Sequence, residues 1–168
     1  MALNIEEGED GGGTFFYNED GVTMRRTSMD DNYTGDHVLP DDPLLVAIAT
    51  KEPVAIIKSL AEEFGTDAVD KLGRGVVAYC VIADYLEACK YLCKYADVNL
   101  PDFHGHTPLL WAAYRGSLKM MKVLLDAGAI LEQTDTIGRT ALHWATRLEG
   151  TDCVELLLKY HHGGDPRY

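Results

Sequence analysis

Two glycines and an alanine have the spacing of the fingerprint that binds the pyrophosphate of a dinucleotide: Gly73, Gly75 and Ala78. That fingerprint needs a β-strand before it and a helix that opens within it. Residues 67–72 do not have the pattern of a strand, and a connecting loop explains both glycines. We therefore expect no nucleotide, and no other cofactor, to bind this chain.

Cys89 and Cys93 are one helical turn apart, which is a spacing that allows two thiolates to share a metal ion. Zinc takes four ligands, and no second pair of Cys or His residues has a matching spacing. His161 and His162 form a weaker candidate that fits a solvated helix end. We interpret the cysteines as reduced core or half-exposed thiols of a cytoplasmic or nuclear protein, without a metal site. All four occupy apolar helical positions: Cys80, Cys89, Cys93 and Cys153.

Catalytic constellations are not discernible in the sequence. His143 is not accompanied by a recognisable nucleophile and orienting acid, and the carboxylates do not pair in a known motif. We therefore expect that this chain is not an enzyme and has no catalytic residues.

The net charge of -12 argues against two classes of partner. Nucleic acids and anionic membrane surfaces both attract Lys and Arg, and acids outnumber these residues here. The excess is concentrated at the start, since residues 1–42 carry a net charge of -9 and the remainder only -3. A run of about 20 apolar residues, as a membrane span requires, does not occur, and we expect no membrane insertion.

The chain repeats itself with a period of 33 residues. GHTPLLWAA at 105–113 is matched by GRTALHWAT at 138–146, and VLLDAGA at 123–129 is matched by LLLKYHH at 156–162. A fixed period of this length is typical of a solenoid, in which each unit buries its apolar face against its neighbours.

The period and the Thr-Pro-Leu-x-x-Ala-Ala core at 107–113 resemble the ankyrin repeat, strongly over 102–162 and more faintly over 42–101. The resemblance implies an all-α solenoid of about four helix-turn-helix repeats with short hairpin loops. We expect an acidic disordered tail at 1–41 and an ankyrin repeat domain at 42–168. The predicted repeats are about 42–72, 73–104, 105–137 and 138–168.

Helix starts and loop turns follow from individual residues. Asp42 is expected to cap a short helix that begins at Pro43, and Thr107 and Thr140 are expected to cap the first helices of repeats three and four. Gly105 and Gly138 suit the positive φ of a tight hairpin turn. The aspartates at the start of these two hairpins are also 33 residues apart: Asp102 and Asp135.

The resemblance gives His143 a structural role, in which its imidazole ties adjacent repeats together. It also implies a concave face, formed by hairpin tips and inner helices, that binds a protein or peptide. Aromatic side chains and Arg are the types that dominate binding interfaces. A competing interpretation buries Trp111 and Trp144 between the inner helices. The predicted partner-binding residues are Phe103, His104, His106, Trp111, Tyr114, Arg115, Thr136, Ile137, Arg139, Trp144 and Arg147.

The acidic tail contains a short phosphorylation signal. Arg25 and Arg26 precede Ser28, which resembles the substrate motif of basophilic kinases, and Asp31 follows it as in acidophilic sites. A phosphate on Ser28 would add about -1.5 to -2 charges to the tail. The competing interpretation is two arginines in a solvated segment.

The sequence therefore predicts a monomeric adaptor or scaffold that binds another protein or peptide segment, with a kinase acting on its tail. A different possibility rests on residues 142–147 (LHWATR), which are similar to ankyrin segments on some membrane-bound S-acyltransferases. Under that hypothesis the chain is the substrate-recruiting ankyrin domain of a larger enzyme.

Overall fold

The computed structural model describes residues 41–148 and 151–161, together with three strand segments near the start of the chain. The chain divides into two compact units, residues 1–38 and residues 39–168.

The first unit contains a small antiparallel sheet in the order β1-β2-β3. Its strands are β1 (Ile5–Glu7), β2 (Thr14–Tyr17) and β3 (Thr23–Arg25). Phe16 of β2 pairs with Ile5 on one side and with Met24 on the other. Three short strand segments thus lie within the predicted acidic tail at 1–41. The TFFY sequence of β2 has strong β-propensity, which the acid and glycine content of the whole segment obscures.

The second unit consists of eight helices in the described residues, arranged as four pairs. They are α1 (Pro43–Ala49), α2 (Val54–Phe64), α3 (Val76–Ile82), α4 (Leu86–Leu92), α5 (Pro108–Arg115), α6 (Leu118–Asp126), α7 (Ala141–Ala145) and α8 (Asp152–His161). The odd-numbered inner helices pack on one another in sequence, and so do the even-numbered outer helices. The predicted all-α solenoid of four helix pairs is confirmed for this unit.

The inner helices begin at the predicted residues. The Asp42 carboxylate accepts hydrogen bonds from the backbone N–H of Leu44 and Leu45 at 2.8 and 3.2 Å, directly before Pro43 at the first position of α1. Thr107 caps α5, since its hydroxyl oxygen accepts a hydrogen bond from Leu110 N at 3.3 Å. These caps satisfy N–H groups that have no partner within the helix.

Stacking of the pairs places apolar side chains between two layers of helices. Leu44 and Ile48 of α1, Leu109 of α5 and Leu124 of α6 are all fully buried. A polar side chain also joins the second and third repeats. The side-chain oxygen of Asn99 accepts a hydrogen bond from Ile130 N at 2.8 Å. The resulting stack holds the loops between repeats in a fixed row.

The turn between the helices of a pair uses left-handed backbone. Gly116 has a φ of 67° after α5, and a side chain there would meet Leu148 Cδ1 at 2.9 Å. The corresponding residues of the first two repeats are Lys51 and Asp84, with φ values of 56° and 51°. These two residues adopt a conformation that strains an L-amino acid other than glycine.

Candidate partner-binding surface

The loop before α5 is built around the buried carboxylate of Asp102. Its Oδ1 accepts hydrogen bonds from His104 N and His106 N, both at 2.9 Å, and its Oδ2 accepts one from Trp111 Nε1 at 3.3 Å. Burial alone would raise the pKa of Asp102, but the hydrogen bonds from His106 and His104 outweigh it and hold that pKa below its usual value. The carboxylate therefore fixes both the hairpin and the first turns of the inner helix.

The next loop repeats this construction around Asp135. Its Oδ1 accepts hydrogen bonds from Ile137 N and Arg139 N at 2.9 and 3.0 Å, and its Oδ2 accepts one from Arg139 Nε at 2.8 Å. Burial opposes ionisation, yet the bonds from Arg139 and Ile137 keep the pKa of Asp135 below its usual value. Asp135 thus positions Arg139 at the edge of the hairpin.

A third loop of this kind, around Asp70, was missed by the sequence analysis. The backbone N–H groups of Leu72 and Arg74 donate to Asp70 Oδ1 at 2.9 Å, and Arg74 Nε and the Tyr79 hydroxyl donate to Oδ2 at 2.7 and 2.9 Å. Burial and the hydrogen bond to Asp70 raise the pKa of Tyr79 to about 12. The available signal was an Asp with a Gly three residues later and an aromatic residue nine residues later, which recurs in all three loops.

The Asp70 loop also accounts for the glycines of the apparent dinucleotide fingerprint. Gly73 forms its turn with a φ of 79°, and Gly75 is the residue before α3. A Cβ on Gly75 would lie 2.7 Å from Leu100 Cδ2, so an apolar side chain already fills the space beside this backbone. The interpretation of a connecting loop between repeats is confirmed.

His106 was predicted as a partner contact, and the structure buries it instead. Its Nδ1 is 3.4 Å from Asp102 Oδ2, and its Nε2 is 3.9 Å from Asp135 Oδ2. The imidazole therefore lies between the carboxylates of two successive loops. His106 is a link between repeats three and four and is not available to a partner.

His143 has a different role from the one that the resemblance implied. Its side chain is exposed, and its Nδ1 accepts a hydrogen bond from Thr140 N at 3.1 Å and lies 2.8 Å from Thr140 Oγ1. Thr140 is the capping residue directly before α7, so His143 stabilises the start of its own helix. The link between repeats that was assigned to His143 is made by His106.

Trp111 and Trp144 were also predicted to contact a partner, and the structure corrects this prediction because each is only 1% exposed. Both occupy the fourth position of an inner helix, which faces the aspartate loop of the same repeat. The edge-to-face contact between the Trp144 and Tyr114 rings has a centroid distance of 5.3 Å. The guanidinium carbons of Arg139 and Arg147 lie 4.0 and 5.2 Å from the Trp144 ring centroid. Burial of the two tryptophans agrees with the competing interpretation. Trp144 contacts three predicted partner-binding residues from its buried position: Tyr114, Arg139 and Arg147.

The other predicted contact residues reach solvent. Phe103 is 73% exposed and Ile137 is 68% exposed, and the two loops that carry them are joined by a hydrogen bond from Thr136 N to His104 O at 3.1 Å. A Cβ on Gly105 would lie 3.0 Å from Asp135 Cα, so this close approach requires glycine. We call the exposed and half-buried set the tip surface: Phe103, His104, Tyr114, Arg115, Thr136, Ile137, Arg139 and Arg147.

Neither a metal-binding cluster nor a membrane-spanning helix occurs among residues 41–148 and 151–161. No group of three or more His, Cys, Asp or Glu side chains in that part of the chain is placed to hold a metal ion. No helix among the same residues has the length and apolar character needed to cross a bilayer. His162 and Ser28, which the sequence analysis singled out, lie outside the described residues.

Comparison with known proteins matches this architecture. Curated relatives include inversin from Canis lupus familiaris, which is 41% identical over 100 residues, or 59% of this chain and 9% of inversin. Human inversin is 40% identical over 100 residues. The palmitoyltransferase ZDHHC17 from Rattus norvegicus is 38% identical over 82 residues, or 48% of this chain and 13% of that enzyme. The chain thus spans only a small part of the length of these relatives.

A family model described as ankyrin repeats in three copies matches residues 44–135 and 96–167. The two matched segments overlap and together cover the helices of the second unit from residue 44 onward, which leaves out only Pro43 of α1. Ankyrin repeats are protein–protein interaction modules. Because the match extends over most of the sequence, the chain belongs to the ankyrin repeat family.

Proposed function

We propose that this chain is an intracellular adaptor, cytoplasmic or nuclear, that binds one partner protein through the tip surface. The observation that carries the proposal is the high exposure of Phe103 and Ile137 on loops whose backbones are held by buried carboxylates. Large apolar side chains on fixed loops bind with little loss of conformational freedom, because the backbone is already ordered. The same loops leave Trp111 and Trp144 beneath the surface as supports.

The partner that fits this surface is an extended peptide or loop with acidic side chains. Arg115 and Arg147 give the tip surface a basic character within a chain of net charge -12, while the charge of Arg139 is paired with Asp135. Arg147 is exposed, and its guanidinium lies over Trp144, which limits its rotamer freedom. A carboxylate beside it would gain a charge-assisted hydrogen bond, and such contacts weaken as salt rises.

A site-specific photocrosslinker tests the proposal. Phe103 is replaced by a benzophenone amino acid, and the matched control carries the same replacement at Phe64, which is 55% exposed at the end of outer helix α2. We expect the Phe103 position to capture one protein from cell lysate and the Phe64 position not to capture it. Adding Ile137→Asp to the variant that carries the benzophenone amino acid at position 103 should abolish capture. Equal capture at both positions would contradict the proposal.

We also propose that a kinase phosphorylates Ser28, because Arg25 and Arg26 precede it as in the substrates of basophilic kinases. Incubation with a basophilic kinase of the cyclic-AMP-dependent type should add one phosphate to the wild type and none to Ser28→Ala, as measured by intact mass. Equal phosphorylation of the two proteins would refute this site.

A second candidate function is the substrate-recruiting ankyrin domain of a larger enzyme such as a membrane-bound S-acyltransferase. It is favoured by the 38% identity to palmitoyltransferases ZDHHC17 and ZDHHC13 over 82 residues. Immunoblotting of the source cells with an antibody against residues 42–161 distinguishes the two functions. A band of much higher mass that sediments with membranes supports the second candidate, and a soluble band of 18.6 kDa supports the first.

A further inference from the structure

A pair of thiols lies at the carboxyl end of outer helix α4, away from the tip surface. The Sγ atoms of Cys89 and Cys93 are 3.7 Å apart, within hydrogen-bonding distance for sulfur. Cys89 is fully buried, whereas Cys93 is half-buried and is the first residue after the helix. One accessible thiol beside one buried thiol is the arrangement in which an oxidised sulfur is captured before it reacts further.

We propose that Cys93 and Cys89 form an oxidation site, in which Cys93 reacts with hydrogen peroxide and Cys89 resolves the product as an intramolecular disulfide. The Cys93 thiolate attacks one peroxide oxygen, the O–O bond breaks, and hydroxide leaves with Cys93 as a sulfenic acid. The Cys89 sulfur then attacks the Cys93 sulfur, its proton is lost, and water leaves from the sulfenic acid. Overall, two thiols and one peroxide give one disulfide and two waters.

The local electrostatics select Cys93 as the thiol that reacts first. The hydrogen bond from the Cys89 thiol lowers the pKa of Cys93, because it stabilises the thiolate. Burial raises the pKa of Cys80 and of Cys153. Cys93 therefore has the largest thiolate fraction of these three thiols, and the thiolate is the form that peroxide oxidises.

Disulfide formation requires a small change in the backbone. Residues four apart in a helix have Cβ atoms about 5–6 Å apart, and a disulfide needs about 3.5–4.5 Å. Cys93 lies where the helix ends, and Cys93 N is held by one hydrogen bond to Cys89 O at 3.0 Å. Closing the disulfide breaks that bond and moves the following turn, which includes Tyr95, whose carbonyl accepts a hydrogen bond from Thr66 Oγ1 at 3.2 Å. Oxidation should thus loosen the contact between the ends of α2 and α4.

Peptide mapping of the full chain tests the assignment. The protein is treated with hydrogen peroxide, free thiols are alkylated, and trypsin is added without reductant. Trypsin cleaves after Lys90, so a disulfide between Cys89 and Cys93 joins the peptide 75–90 to the peptide 91–94. We expect this joined pair to accumulate with peroxide and to disappear with dithiothreitol. Overoxidised or alkylated Cys93 without the joined pair would overturn the proposal.

Two variants identify the resolving thiol, because peptide 75–90 also contains Cys80. In Cys80→Ala the joined pair should form as in the wild type. In Cys89→Ser it should be lost, and Cys93 should proceed to the sulfinic acid. A joined pair that persists in Cys89→Ser and vanishes in Cys80→Ala would refute the role of Cys89. Cys153→Ser is the matched control for loss of one thiol, and circular dichroism verifies that each variant is folded.

Discussion

Replacing Asp102 with alanine should destabilise the second unit more than the same replacement of any exposed Asp or Glu. The change removes the acceptor for three hydrogen bonds, from His104 N and His106 N at 2.9 Å and from Trp111 Nε1 at 3.3 Å. The hydrogen bonds from His106 N and Trp111 Nε1 are buried, so these two donors could not bond to water after the substitution. Each buried donor left without an acceptor costs about 1–3 kcal/mol, so these two donors together lower the free energy of unfolding by about 2–6 kcal/mol. That is a large part of the roughly 5–15 kcal/mol typical of a folded domain.

Urea denaturation followed by circular dichroism measures this loss, with two comparison variants. Asp97→Ala removes an exposed carboxylate that accepts one hydrogen bond, from Asn99 N at 2.8 Å, and should cost less than about 1 kcal/mol. Asp102→Asn retains an oxygen that can accept the two backbone hydrogen bonds. Its loss of stability should therefore lie between the losses in Asp102→Ala and Asp97→Ala. Equal midpoints for Asp102→Ala and Asp97→Ala would refute the reasoning that buried carboxylates hold the loops.

Two further predictions concern pH and backbone strain. The pKa values of Asp70, Asp102 and Asp135 are lowered in the fold, so their contribution to stability is present above about pH 3.9 and is lost as pH falls further through the lowered values. Urea midpoints measured between pH 6 and pH 2 should fall most steeply below about pH 4, and a flat profile there would contradict the assignment. Lys51→Gly relieves a φ of 56° and should stabilise the fold by about 0.5–1 kcal/mol. Gly116→Ala, at a φ of 67°, should destabilise the fold by about 1–2 kcal/mol. Effects of the same sign in both variants would contradict the assignment of backbone strain to these two turns.

The repeat architecture was predictable because it rests on local rules that recur along the chain. The 33-residue period located the helix pairs, and the capping residues Asp42 and Thr107 located two helix starts. Each of these signals depends on neighbouring residues alone, so a single sequence contains enough information. The strands of the first unit were not expected, since the β-propensity of residues 14–17 is diluted by the acids and glycines around them.

Burial of individual side chains was less predictable, because it depends on contacts between loops. From the sequence, Trp111 and Trp144 are expected on the groove side of the inner helices, yet each is only 1% exposed. His106 looked like a hairpin residue open to solvent, and only the stacking of two loops places it between Asp102 and Asp135. Predicting such burial requires the distance between successive hairpins, and the spacing of residues within one repeat does not give that distance.

Binding of the partner by the tip surface can be tested with a matched pair of substitutions at two exposed isoleucines. Ile137 is 68% exposed on a hairpin tip, and Ile130 is 47% exposed in the segment between α6 and that hairpin and is not part of the tip surface. Isothermal titration of the partner captured at Phe103 gives the affinity of the wild type, Ile137→Asp and Ile130→Asp. We expect Ile137→Asp to weaken binding at least about tenfold, as for loss of an apolar anchor of about 1.4 kcal/mol, and Ile130→Asp to leave it nearly unchanged. Unchanged affinity in Ile137→Asp, or a larger loss in Ile130→Asp, would contradict the claim.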